Sequence, residues 1–292
     1  MNWLRIAHET TYRYRTAVEF GPHRLVLRPR EGHDVRVEEM TLHLAPLAEV
    51  EWSRDLFGNS VATVHFLEPA EEMTIRSEVL LHQTAPFPAL KTRPVEPVNL
   101  PLQFSEMESL MAAAYLQSTY PVDRSAVQAW TKESIALDQV DRAEDLVALV
   151  ARQIRALIKY QRRAERGVQS PTETLELKSG SCRDMATLML EVLRTLGFPA
   201  RFASGYLDCA ASHAGEASTH AWAEAYLPEI GWVGYDPMLG GATSGKHIVT
   251  GVSSHPRGVM PVTGSYLGKK KAFLEMKVSV HTERVNRLSS VH

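Results

Sequence analysis

Five prolines fall between residues 86 and 101, at 86, 88, 94, 97 and 101, and the hydrophobic period of the chain differs on their two sides. Proline removes a backbone donor and cannot continue a helix or a central strand, so this stretch divides the sequence into two units of different architecture. Ahead of it, Leu4, Ile6, His8, Thr10, Tyr12 and Tyr14 alternate with Arg5, Ala7, Glu9, Thr11, Arg13 and Arg15. That is the period-two pattern of a half-buried strand. Further strand segments read near 24–27, 35–44, 61–66 and 73–81, with a turn signal from Asp55 to Asn59. Residues 1–85 are therefore expected to form an antiparallel, all-β, sandwich-like module. Residues 86–103 read as an extended linker laid against its neighbours through Phe87, Leu90, Val95 and Leu100.

From Phe104 the period becomes helical. Leu110, Met111, Ala114 and Tyr115 predict one helix, and Val127, Trp130 and Ile135 a second. Asp141 is expected to cap a third, whose Leu146, Val147, Val150, Ile154, Leu157 and Ile158 make one apolar stripe. The apolar run from Met185 to Leu196 is a fourth, stopped by Gly197 and Pro199. Strands are expected at 200–208, 219–227 and 231–235, with Pro228-Glu229-Ile230-Gly231 turning the last two into a hairpin. The second unit, 104–292, is thus of α+β class.

Composition bounds the function classes. The 292 residues carry 44% apolar and 23% charged side chains and a formal charge of −2, which is ordinary globular composition and implies no nucleic-acid partner. The opening Met1-Asn2-Trp3-Leu4-Arg5-Ile6 has no apolar signal core, and no apolar stretch approaches the roughly 18 residues of a membrane span. A soluble, cytoplasmic protein without a membrane partner is expected. Two cysteines argue against a disulfide framework and fit a reducing compartment.

One of them, in Gly180-Ser181-Cys182-Arg183-Asp184, stands where a loop becomes the fourth helix. The first N–H groups and the macrodipole of a helix favour an anion and lower a thiol's pKa, which makes Cys182 a candidate nucleophile. A thiolate needs a base and an orienter. His220 follows 38 residues later and Asp236 another 16, at the start of one expected strand and at the end of the next. In an antiparallel pair those positions lie close to opposite one another. His220 would take the thiol proton and return one to the leaving group, while Asp236 fixes its tautomer. The product is a thioester, resolved by water or by an amine.

These residues also carry a resemblance. The G-x-C-x-D helix start, Gly197-Phe198-Pro199-Ala200-Arg201, His220-Ala221-Trp222-Ala223-Glu224-Ala225-Tyr226 and Gly231-Trp232-Val233-Gly234-Tyr235-Asp236-Pro237 resemble the transglutaminase-like superfamily of papain-fold cysteine enzymes. Lys246-His247-Ile248 and the stretch from His255 to Tyr266 are similar to its bacterial branch, whose members often carry a β-rich domain in front. Tyr12-Arg13-Tyr14, Leu27-Arg28-Pro29-Arg30 and Asp55-Leu56-Phe57-Gly58-Asn59 look like that domain. The resemblance implies a papain-like, transglutaminase-like core at 172–266, with the cysteine helix packed on an antiparallel sheet. It also implies a cysteine protease or acyltransferase without a cofactor, acting on an amide or isopeptide bond of a peptide or protein. Arg183 departs from the branch, many of whose members carry a different polar residue there.

Alternative readings attach to several of these residues. A catalytically silent peptide-binding module would keep the cleft and lose the chemistry, but all three triad residue types are present. A redox pair of Cys182 and Cys209 lacks a C-x-x-C, and Cys209 reads as a small packed hydrophobe. Zinc is disfavoured because Cys182, Cys209, His213 and His220 lack paired short spacings, and no acidic loop suits calcium. Leu239 to Lys246 is not a phosphate loop, since His247 follows Lys246. Asp184 is expected to cap its helix, and Ser181, Arg183 and Trp222 are candidates for the cleft. The backbone N–H of Cys182 is one expected oxyanion donor, with a second possible between Gln169 and Lys178. The Gly/Ser/Ala-rich loops 210–218 and 238–255 are candidate lids. Oligomeric state is not legible.

Overall fold

The computed structural model describes residues 2–84, 100–137, 140–163, 167–208, 219–228 and 230–285. The alternating N-terminal sequence forms β1 (Asn2–Phe20), followed by β2 (His23–Leu25), β3 (Val35–Ala45), β4 (Ala48–Arg54), β5 (Ser60–Phe66) and β6 (Ala70–Gln83). Helices α1 (Glu106–Leu116), α2 (Arg124–Ser134) and α3 (Ala143–Leu157) come next, then β7 (Lys159–Tyr160), α4 (Pro171–Leu177), β8 (Ser179–Gly180) and α5 (Cys182–Thr195). The chain continues through β9 (Ala200–Leu207), β10 (Thr219–Leu227), β11 (Gly231–Asp236), β12 (Gly241–Ala242) and β13 (His247–Ser253). It returns as β14 (Val262–Thr263), β15 (Tyr266–Leu267) and β16 (Phe273–Val285).

The expected β module is a two-sheet sandwich. In one sheet β1 lies between β6 and β16, with β3 outside β6; in the other the order is β14-β2-β5-β4. Leu25, Ala62 and Val64 from the second sheet meet Met73 and Ile75 from the first, and this packing makes the inter-sheet core. β4 was not among the expected strands. It is an edge strand whose side chains are mostly exposed, so no buried face marks it in the sequence.

β14, β15 and β16 lie within the 104–292 unit of the sequence reading, yet they pair with β2 and β1. The hydrogen-bonding frame of the first module therefore includes the end of the chain, a correction to the sequential two-unit division. Such a long-range pairing leaves no local signal, because a strand's period reports burial and not partner.

In the second module β12-β11-β10-β9-β13 form an antiparallel sheet on which α5 packs. Every residue of α5 from Asp184 to Arg194 is buried. Met185, Leu188, Met189, Leu190, Val192 and Leu193 each contribute about 1.5–3 kcal/mol by leaving water, so the helix start is held by a rigid body. Its two buried charges satisfy each other: Arg194 Nη1 donates to Glu191 Oε1 at 2.7 Å, and its other N–H groups go to the carbonyls of Tyr115, Ala200 and Ser254. The third helix starts at Ala143, after Arg142 and not after the expected Asp141. No side chain caps it; Glu144 and Asp145 supply negative charge to its first turn instead.

The two modules share a packed seam. Tyr206 of β9 and Ile248 of β13 are buried among Leu4, Ile6, Val79, Leu81 and Val280 of the β module. The expected 55–59 turn anchors it: buried Asn59 donates through Nδ2 to the Val252 carbonyl at 2.8 Å and accepts from the Val252 N–H at 2.9 Å. Within the expected lid 238–255, residues 247–253 instead form β13, a buried strand paired with β9. The other expected lid, 210–218, together with Cys209 and His213, lies outside the described residues, as does most of the expected linker.

Candidate active site

Gly180 ends β8, and Ser181 turns the chain into α5. A Cβ at Gly180 would lie 2.8 Å from Cβ of Asp184 and 3.0 Å from Gln169 Oε1, so only glycine admits the Asp184 carboxylate behind the loop. That carboxylate is fully buried and extends the expected capping role. Its Oδ2 accepts from the N–H and Oγ of Ser181, both at 2.8 Å, and its Oδ1 from the Gln169 N–H at 2.8 Å. Arg163 Nη1 lies 3.0 Å from both oxygens. Ser181 is thus a capping residue that also borders the cleft, and Cys182, half-buried, is the first residue of the helix. Because the Gln169 N–H is engaged by Asp184, that amide is not the expected second oxyanion donor.

The three sequence-chosen residues meet. His220 is the second residue of β10 and is hydrogen-bonded to the Cys182 thiol on one side, while its Nε2 lies 2.7 Å from Asp236 Oδ2 on the other. With Nε2 donating to the carboxylate, Nδ1 is the ring nitrogen left for sulfur. The β10–β11 ladder pairs Ala223 with Tyr235, so Asp236 stands just past the paired residues and reaches His220 diagonally, not squarely across. Asp236 is fully buried and its Oδ1 accepts from the N–H groups of Met238 and Leu239 at 2.8 and 3.2 Å. The glycine-punctuated 239–246 segment, discounted above as a phosphate loop, begins in this carboxylate-binding turn.

Electrostatics follow from that geometry. Burial by itself would lower the His220 pKa, but the hydrogen bonds to Asp236 and Cys182 and the charge on both outweigh it and raise the value to about 10. Burial would raise the Asp236 pKa, yet the two histidines bonded to it hold it well below the usual carboxylate range. The imidazole therefore favours its cationic form, held between the Cys182 sulfur and the Asp236 carboxylate.

The second of those histidines, His247 of β13, was named in the sequence only within a family-like segment and given no role. Its Nδ1 accepts from the Ser244 N–H at 3.2 Å, so its Nε2 carries the proton and donates to Asp236 Oδ2 at 3.1 Å. No local spacing signals this, since β13 reaches Asp236 only through its pairing with β9. The ligand atoms of His220, Asp236 and His247 lie within 4.8 Å of one another. Their 2.7 and 3.1 Å N···O contacts have hydrogen-bond geometry, with Asp236 Oδ2 shared between the two rings. Trp222 is only 1% exposed, with its ring 6.1 Å from that of His220 and 5.2 Å from that of His247. It shields the imidazoles from behind and does not wall the cleft.

A cleft of about 190 Å³ opens at the thiol. One wall is Tyr160, Arg162, Arg163, Ser181, Cys182 and Arg183; the facing wall is His8, Thr10 and Tyr12 of β1 with Met276 and Val278 of β16. Thr10 pairs with Val278 and Tyr12 with Met276, so one face of this strand pair looks onto Cys182. His8 is buried, with its pKa lowered to about 4 by that burial, and is bonded to Tyr206 Oη at 3.1 Å and Thr10 Oγ1 at 3.0 Å, so it stands there as a neutral ring. The sequence reading placed Arg183 and Ser181 at the cleft, and both line it. It missed the opposite wall, which belongs to the β module.

Comparison with known proteins agrees with this architecture. Residues 4–81 match the bacterial transglutaminase-like N-terminal region, and residues 125–237 match the transglutaminase-like superfamily. An uncharacterized protein of Mycobacterium tuberculosis, Rv2569c, is 26% identical over 290 residues, covering 94% of this chain and 91% of that one. A protein-glutamine gamma-glutamyltransferase of Pseudomonas aeruginosa is 38% identical over 68 residues, only 21% of this chain and 10% of its own length. A candidate cysteine protease from Cytophaga hutchinsonii has the same fold: its crystal structure superposes with a TM-score of 0.73 over 98% of this chain and 92% of that one, at 15% identity. With the cysteine helix on its antiparallel sheet and the β sandwich in front, the chain belongs to the transglutaminase-like superfamily and carries the N-terminal region of its bacterial branch.

Proposed function

We propose that this protein is a cysteine-dependent amidase, acting on an amide or isopeptide bond of a peptide or protein through a Cys182 thioester. The observation that carries the reading is the unbroken hydrogen-bonded line from Cys182 through His220 to buried Asp236. The Cys182 thiolate adds to the amide carbonyl, forming the S–C bond. As the C–N bond breaks, imidazolium His220 gives its Nδ1 proton to the leaving nitrogen. Water, deprotonated by the neutral imidazole, then cleaves the thioester to the acid, and an amine in place of water gives transamidation. The N–H of Cys182 at the start of α5 is the oxyanion donor of this scheme. Similarity to the Pseudomonas gamma-glutamyltransferase supports keeping amine transfer as the related outcome, and hydroxylamine trapping of the acyl group measures the partition. Among the described residues no helix is long and apolar enough to cross a membrane. The cytoplasm remains the proposed location, checked by cell fractionation.

The test is the pH dependence of Cys182 alkylation by iodoacetamide in wild type and His220→Ala, with Cys209 as the internal reference. Cys182 is expected to react well below the ~8.5 of an ordinary thiol, and His220→Ala to abolish that advantage. Equal reactivity of both cysteines at every pH would overturn the enzyme reading in favour of a silent peptide-binding module.

A further inference from the structure

The cleft at Cys182 is cationic in a molecule of net charge −2. Arg162, Arg163 and Arg183 all line it, and among the described residues no carboxylate does. The same absence of acidic side chains extends into the continuation of the groove, about 360 Å³, which Arg163 and Arg183 share and which runs on past Tyr12 and Met276. The three arginines differ in their partners. Arg163 is held by Asp184 and serves the helix start. Arg162 is exposed and Arg183 half-buried, and among the described residues neither has an ion-pair partner. Guanidinium groups bind carboxylates through two parallel N–H···O bonds, and in a recessed site they do so with less screening than on an open surface.

We infer that Arg162 and Arg183 form a carboxylate-binding subsite, and that the acyl donor is a peptide carrying a carboxylate close to the scissile amide. This rests on the thioester reading above and names its substrate class. Three features converge on it: two guanidinium groups without an acidic partner among the described residues, their position beside the thiol in the cleft lining, and no competing carboxylate among the described lining residues. The carboxylate has two chemical sources in a peptide, an acidic side chain or a free chain terminus, and both present the same planar anion. The aliphatic Met276 and Val278 opposite the arginines leave the facing wall without a cation, so the anion is drawn to the Arg162–Arg183 side.

The first measurement needs no knowledge of the substrate. Iodoacetate and iodoacetamide alkylate the same sulfur and differ in a carboxylate, so the ratio of their rates at Cys182 reads the anion affinity beside it. Measured at pH 9 and low salt, the ratio does not depend on His220 activating the thiol, and both arginines remain charged. Wild type is expected to give a ratio about tenfold above that of the Arg162→Gln/Arg183→Gln variant, and 1 M salt is expected to erase most of the difference. The helix N-terminus and His220 are present in both proteins, so they do not contribute to the change. An unchanged ratio in the double variant, and in Arg162→Gln alone should the double variant fold poorly, overturns the subsite. The second measurement compares kcat/KM for matched peptides with internal Glu or Gln, and with a free or amidated C-terminus. Discrimination in either pair that the double variant loses identifies the source of the carboxylate, and indifference of wild type to both pairs also overturns the proposal. Failure of the nucleophile reading appears elsewhere, in the iodoacetamide pH profile of wild type against His220→Ala.

Discussion

His220 contacts the Cys182 sulfur and the Asp236 carboxylate, and its folded pKa of about 10 lies above the ~6.5 of an unfolded histidine. A raised histidine pKa adds stability that is fully present below pH 6.5 and is lost as pH rises through about 10. For Asp236 the sign is opposite: its depressed pKa adds stability that is present above the unfolded value of ~3.9 and is lost on further acidification. The difference in melting temperature between wild type and His220→Gln is therefore expected to be greatest near pH 4–6.5 and to shrink steadily toward pH 10. A difference growing with pH would mean the imidazole is buried neutral. His247 acts one step further out, by holding the carboxylate that holds His220. His247→Ala removes one donor to a buried anion, worth about 1.5–3 kcal/mol, and is expected to lower kcat roughly 10- to 100-fold. His247→Gln, which keeps an N–H near the Nε2 position, is expected to restore much of that loss and the alkylation pH profile with it. A merely structural His247 would move stability and leave the profile unchanged.

At the scale of elements, the start of α5 was legible because several local rules coincide there. Gly180, Ser181 and Asp184 spell a tight approach, a cap and a first-turn carboxylate, and the apolar run behind them specifies a buried helix. What the carboxylate joins was not legible: Gln169 and Arg163 arrive from outside the helix. Asp184→Asn is expected to cost about 2–4 kcal/mol, since it removes the charge from several buried hydrogen bonds, those from Arg163 included, and urea unfolding would measure it. A loss near zero would mean that the capping bonds are replaced by solvent. β10 and β11 were found from period and turn signals, whereas β13 was taken for a loop because its Gly251, Ser253 and neighbouring glycines look like linker sequence. A Cβ at Gly205 of β9 would lie 2.0 Å from the Ile248 carbonyl oxygen, so the glycine that weakens the strand signal is what lets β13 lie close enough to place His247.

At the scale of the whole molecule, the cleft is an inter-module feature whose far wall is built from both ends of the chain. β1 is flanked by β6 and by β16, so removing residues from 273 onward would expose one edge of β1 along its length and take away Met276 and Val278. Such a truncated chain is expected to aggregate or to lose its cooperative melting transition, as circular dichroism would report. A fragment of residues 1–103 is expected to fail in the same way, because β14, β15 and β16 are missing from its sheets; a well-dispersed NMR spectrum from that fragment would contradict this. The amino-acid sequence by itself determined the β module, the cysteine helix, the order Cys182, His220, Asp236 and the superfamily they resemble, because period, capping and motif spacing are properties of neighbouring residues. Only the tertiary structure decided that the last strand joins the first, that His247 shares the Asp236 carboxylate, that Trp222 lies behind the imidazole and that three arginines line one cleft. Most of those contacts join residues far apart in the sequence and follow from how the strands pair and the two modules pack, and no local pattern in a single chain encodes which distant partner will be met.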